Sequence, residues 1–154
     1  MEEKTLINKG YGKEFHSHLL EQYKLYVESA DKISSRRDLA NNFYLTLNSA
    51  LFAISGYLSL LNKQSLIYLI IPFAGIVISF YWLKIITSYK NLNSGKFKVI
   101  HELEKNLPAK LFYYEWNSIG NGKTKEYIPI TLVEKGIPKI FMIIYLLIII
   151  ITLL

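Results

Sequence analysis

The residues of this 154-residue chain that could do chemistry are three histidines, twelve carboxylates and a regularly spaced series of asparagines and serines. His16 and His18 are two positions apart, a spacing that turns them to different sides of a helix. His101 precedes Glu102 but has no evident second ligand in the sequence around it. There is no HExxH motif, no glycine-rich phosphate loop and no Ser/His/Asp set whose spacing can be read. The chain has no cysteine, which excludes a disulfide framework and thiolate metal sites. The expectation is a protein that is not an enzyme and that needs no metal or other cofactor.

The regular series is more informative. Asn41, Asn48, Ser55 and Asn62 recur every seven residues, and Ser59 falls on the same side of a helix. A polar residue at mid-membrane costs free energy unless it finds a partner or water. Two readings follow. Asn41, Asn48, Ser55 and Ser59 line a pore, or they hydrogen-bond across a helical hairpin. Ser49, Ala53 and Gly56 make a second face of small residues suited to close helix packing. Just ahead stands Arg36-Arg37-Asp38. It reads as an interfacial anchor whose side chains snorkel to headgroups, or as the inner mouth of a pore that attracts an anionic or nucleotide ligand. Asp31 and Asp38 offset part of that charge.

The elements that must position these residues are membrane helices. Apolar residues make up 51% of the chain and gather in three blocks: 43–61, 66–83 and 137–154. The first two carry no charge, and each is long enough to cross a hydrocarbon core of roughly 30 Å. Pro72 and Gly75 interrupt the second, which membrane helices tolerate. Residues 1–42 form a polar N-terminal segment with an amphipathic helix, and no apolar run at the start marks a cleavable signal peptide. Residues 62–65 make a tight turn between the first two spans, and 84–136 form a second polar segment. Seventeen of the eighteen basic residues lie in 1–42 and 84–139, so the positive-inside rule places both polar segments in the cytoplasm. The N-terminus is then cytoplasmic and the C-terminus ends at the outer face.

Within the polar segments, Phe15, Leu19, Tyr23, Tyr26, Ala30 and Ile33 trace one stripe at helical spacing. No Pro or Gly separates that stripe from the first span, which predicts a single helix from about residue 14 to 61. The second span extends the same way to about 107, with Gly95 a weak point and Pro108 the stop. Aromatic and β-branched residues on both sides of Gly120-Asn121-Gly122 predict a small β-hairpin over 111–130. Thr131 and Glu134 have the spacing of a capping box that would open the last helix.

The stretch from Gln22-Tyr23-Lys24-Leu25-Tyr26-Val27 through Asp31-Lys32-Ile33-Ser34-Ser35-Arg36-Arg37 and Asn41-Asn42-Phe43 to Leu47-Asn48-Ser49-Ala50-Leu51 resembles the RipA-type octameric bacterial membrane proteins. Leu92-Asn93, Lys96-Phe97, Val99-Ile100, Glu115-Trp116, Tyr127-Ile128-Pro129 and Glu134 extend the likeness over most of the chain from residue 14. The chain is also similar to the HalB-like antiphage membrane effectors encoded beside nucleotidyltransferases. The resemblance implies a homo-octamer, a channel-forming effector role in antiphage defence, and a gate answering a cytosolic nucleotidyltransferase or its nucleotide or oligonucleotide product. The number eight comes from the resemblance and not from any periodicity.

The expected protein is thus an all-α homo-oligomer of the bacterial inner membrane. It has three transmembrane helices, long cytoplasmic helical extensions and one cytoplasmic β-hairpin. Its partners are its own copies, the lipid bilayer and a cytosolic signal. The expected function is a channel or pore, and the alternative is a non-conducting scaffold that tethers a cytosolic partner.

Overall fold

The structure, a computed structural model, describes residues 6–8, 10–60, 67–123 and 127–154, with the backbone alone for Ser59, Leu60 and Ile67. These residues form four α-helices: α1 (Phe15–Leu60), α2 (Ile67–Glu104), α3 (Leu111–Ser118) and α4 (Ile130–Leu153). A 3-10 turn spans Gly120–Gly122. The expected turn at 62–65 and the side chain of Ser59 lie outside the described residues. Two compact units share the long helices: a polar unit of Met1–Ser35 and Asn91–Ile128, and an apolar unit of Arg36–Lys90 and Pro129–Leu154.

In the polar unit, Leu19, Ala30 and Ile33 of α1 are buried, as are Ile100 and Leu103 of α2. The i, i+4 and i, i+3 steps of the α1 stripe turn these side chains to one face, so burial follows spacing. The Lys96 ammonium lies 4.4 Å from the centre of the Tyr26 ring and donates to Ser29 Oγ at 2.8 Å. Its aliphatic stem thereby covers apolar surface while the head keeps polar partners.

The β-hairpin expected over 111–130 is not there. No strand occurs among the described residues, and residues 111–118 are the helix α3. Phe112 and Trp116 sit four apart on one helical face; Phe112 packs against Phe97 at 5.5 Å and Trp116 against Tyr127 at 6.3 Å. The second half of the expected hairpin contains Pro129, which cannot donate to a ladder. Gly120, Asn121 and Gly122 all take positive φ, and they close a tight turn after α3 instead of joining two strands. Gly122 is needed there, since an added Cβ would lie 2.9 Å from the Trp116 ring.

In the apolar unit, α1 and α2 run antiparallel, because Asn41 meets Trp82 and Asn48 meets Ser79. Helix α4 runs parallel to α1, because Glu134 meets Asn41 and Tyr145 meets Asn48. Trp82, Ile86, Tyr145, Pro72 and Pro138 are buried between them. Both prolines are accommodated inside their helices. Gly75 makes room for Tyr145: a Cβ at that position would fall well under 3.0 Å from the phenol ring.

Two of the three expected spans meet the length and apolarity needed to cross a membrane, namely the stretch Tyr68–Glu104 within α2 and the helix α4 (Ile130–Leu153). The described apolar part of α1, residues 43–58, is shorter and is diluted by Asn48, Ser49 and Ser55. The expected capping box is also corrected. Helix α4 has Pro129 at its N-cap with no side-chain cap, because Thr131 and Glu134 are both engaged by Arg37.

Candidate functional site

The polar series of α1 is consumed inside the apolar unit. Asn48 is 0% exposed. Its carboxamide oxygen accepts the Ser79 hydroxyl at 2.8 Å, and its Nδ2 donates to the Tyr44 carbonyl at 2.9 Å. Its own carbonyl accepts the Tyr145 hydroxyl at 2.8 Å. Three helices therefore converge on one residue, and no polar atom of the Asn48 amide group points away from the bundle. Ser55 is buried and donates to the Leu51 carbonyl of its own helix at 2.9 Å.

A second cluster lies two turns along α1. Arg37 pairs with Glu134 and donates to Thr131 Oγ1 at 2.8 Å. Glu134 also accepts Asn41 Nδ2 at 2.9 Å, and Asn41 Oδ1 accepts the Trp82 indole N–H at 2.9 Å. The chain of bonds runs Arg37, Glu134, Asn41, Trp82 and links α1, α4 and α2 in turn. Burial draws the Arg37 guanidinium below its ordinary pKa, and Asp38 opposes that shift. Arg37 is thus committed to the fold, while Arg36 is exposed. The two arginines expected at an inner mouth do not act as a pair. Ser49, Ala53 and Gly56, expected to serve packing, are all exposed on the far side of α1.

The polar unit holds a carboxylate that spacing does not single out. Glu104 is 0% exposed and accepts the Phe112 and Tyr113 backbone N–H groups at 2.9 and 3.0 Å. It also accepts the Tyr23 hydroxyl at 3.1 Å. The carboxylate caps the first turn of α3, where free N–H groups and the positive end of the helix favour an anion. Burial, then the hydrogen bond and charge of Glu104, push the Tyr23 phenol up to about 12. The His18 ring meets the Tyr11 hydroxyl at 2.6 Å, and His101 packs edge-on to Phe97 and Tyr113. No group of three metal-ligating side chains occurs among the described residues.

Ser79, Tyr145, Trp82 and Glu134 complete the site around Asn41 and Asn48. A signal for two of them is present in the sequence: Ser79 and Tyr145 are isolated polar positions in otherwise apolar runs, where a polar group demands a partner. Glu104 carries no such mark, because its partners come from backbone placed by the turn at 105–110. In comparison with known proteins, the sequence model of the octameric membrane protein family (8xMP) matches residues 20–154. No curated protein and no solved structure matches.

Proposed function

Because the chain belongs to the octameric membrane protein family, we propose that eight copies assemble a channel in the bacterial inner membrane, with α1 turned toward the centre of the assembly. The observation that carries this reading is the contrast between outward faces. At about 100° per residue, Asn42, Thr46, Ser49, Ala53 and Gly56 form one exposed stripe of small or weakly polar residues on α1. The exposed apolar residues of α2 include Ile70, Phe73, Val77, Phe80 and Tyr81, and those of α4 include Ile140, Ile143, Leu147 and Ile150, with no comparable small-residue stripe; the bulky exposed residues of α1, such as Phe43, Phe52 and Ile54, flank its stripe on either side. Bulky apolar faces suit acyl chains. Small and weakly polar faces suit neighbouring helices or water.

Three spans per copy belong to this reading. Residues 43–58 of α1 lie in register beside the apolar parts of α2 and α4 through Asn48. If those two cross, this part of α1 crosses with them. In this reading 1–42 and 84–139 are cytoplasmic and the C-terminus is outside, an orientation supported by the basic residues of those two segments. The lining passes from Asn48 and Ser55, which are buried in the protomer, to Thr46, Ser49 and Ala53. The assembly acts without catalysis. An antiphage role, with a nucleotide or oligonucleotide signal at the gate, draws its support from the resemblance to HalB-like effectors.

A non-conducting scaffold is the second reading, favoured by the internal satisfaction of Asn48, Ser79 and Tyr145. Planar-bilayer recording separates the two. The channel predicts discrete current steps from the purified octamer, with unitary conductance altered by Ser49→Phe and little changed by Asn48→Gln. Silence from assembled octamer, with and without the cytosolic signal, would leave the scaffold.

A further inference from the structure

We infer that the rim of the apolar unit binds the headgroups of anionic phospholipids; the inference rests on the membrane reading above. All the charged residues of this unit's described stretch fall in one band: Arg36, Arg37, Asp38, Lys84, Lys90, Glu134, Lys135 and Lys139. Six cations thus face two carboxylates. Glu134 is committed to Arg37, which leaves Asp38 as the one acid against Arg36, Lys84, Lys90, Lys135 and Lys139.

The bonds of Asn41 to Trp82 and Glu134 fix the three helices at one level. Lys84 is two residues from Trp82, and Lys135 and Lys139 are one and five residues from Glu134. At about 1.5 Å per residue all three lie within roughly 10 Å of that level. None of these lysines forms an ion pair among the described residues. Lys84 lies over the exposed Phe80 ring at 5.3 Å, an apolar stem with its ammonium at the edge. The surface flanking the band on the membrane side is Phe80, Val77 and Phe73 on α2 and Ile140 and Ile143 on α4. A cationic band bordering an exposed apolar surface fits a molecule with a phosphate at one end and acyl chains at the other. Each cation near an anionic membrane surface strengthens association roughly fivefold, so three lysines discriminate strongly between anionic and zwitterionic lipid.

Tyr81 is exposed at the level of the band, next to the buried Trp82, and a fluorophore introduced by Tyr81→Trp reports on it. The experiment uses the full chain carrying Trp116→Phe and Tyr81→Trp, with the buried Trp82 as constant background, reconstituted in vesicles that contain brominated phosphatidylglycerol or brominated phosphatidylcholine at equal mole fraction. Stronger quenching of the Tyr81→Trp fluorescence by the brominated phosphatidylglycerol is expected, with at least a tenfold difference in apparent affinity. Lys84→Gln/Lys135→Gln/Lys139→Gln should abolish the preference, and the triple Lys→Arg variant should keep it. Equal quenching by the two lipids overturns the inference and leaves the membrane reading standing. Quenching by neither lipid overturns both. A preference that survives the triple Gln variant also overturns it, because the lysines would not be its source.

Discussion

Asn48 occupies the point where α1, α2 and α4 meet, and its three hydrogen bonds are short and internal. Replacing it by Leu removes the acceptor of the Ser79 hydroxyl and strands that hydroxyl among apolar side chains. Interhelical hydrogen bonds in membranes average below 1 kcal/mol, whereas an unsatisfied buried donor costs about 1–3 kcal/mol. Asn48→Leu should therefore destabilise the folded protomer by about 1–2 kcal/mol, measured by SDS titration in mixed micelles. Ser79→Ala should cost less, and the double variant should cost no more than Asn48→Leu alone, because it removes the stranded hydroxyl. Additive costs would show that the two side chains do not share a bond in the bilayer. The sequence marks Asn48 as unusual but leaves open where it faces. Seven-residue recurrence places Asn41, Asn48 and Ser55 on one side of α1, and a pore or a neighbouring helix satisfies that pattern equally. Packing of Tyr145 against Gly75 decides it, and that contact joins positions seventy apart.

At the scale of elements, the long helices are legible because their cause is local. Unbroken apolar periodicity yields α1 at Phe15–Leu60 and α2 at Ile67–Glu104, each within a few residues of expectation. Helix α3 is not legible for the opposite reason. Its eight residues are too few to be stable alone, and a carboxylate from the end of α2 holds its first turn. The aromatic residues of 111–116 suit a strand by composition, and only the Phe112–Trp116 spacing argues for a helix. The tie among Tyr23, Glu104 and α3 carries a pH signature. The Tyr23 phenol ionises near 10 when unfolded and at about 12 in place, so the folded state keeps a proton that the unfolded state has lost between those values. Its contribution is fully present below pH 10 and disappears as pH rises to about 12. Resistance to denaturant, measured by titration at fixed pH, should fall over that window, and Tyr23→Phe should flatten the dependence. An unchanged profile in Tyr23→Phe would place the titrating group elsewhere.

At the scale of the whole molecule, family membership supplies the number of copies, and the outward stripe on α1 supplies a direction for their contact. The chain contains no cysteine, so a single introduced thiol reports cleanly. Ala53→Cys, at the centre of the stripe, should give oxidative cross-links between copies in membranes. Leu147→Cys, on the exposed face of α4, should give few. Reversal of that ranking would turn α4 inward and α1 toward lipid. In the proposed assembly the stripe also accounts for the lower apolarity of α1: residues that serve neighbours need not be as greasy as residues that serve lipid.

The fit of Tyr145 against Gly75 has a consequence for biogenesis. Helix α4 follows α1 and α2 in the chain, and its phenol seats only on a surface that those two form together, with Gly75 on one helix and the Asn48 carbonyl on the other. The same is true of Glu134, which needs Arg37 and Asn41 in place. Docking of α4 is thus conditional on correct pairing of α1 with α2. A nascent chain with mispaired early helices offers α4 no seat and leaves Asn48 and Arg37 without the partners that α2 and α4 supply.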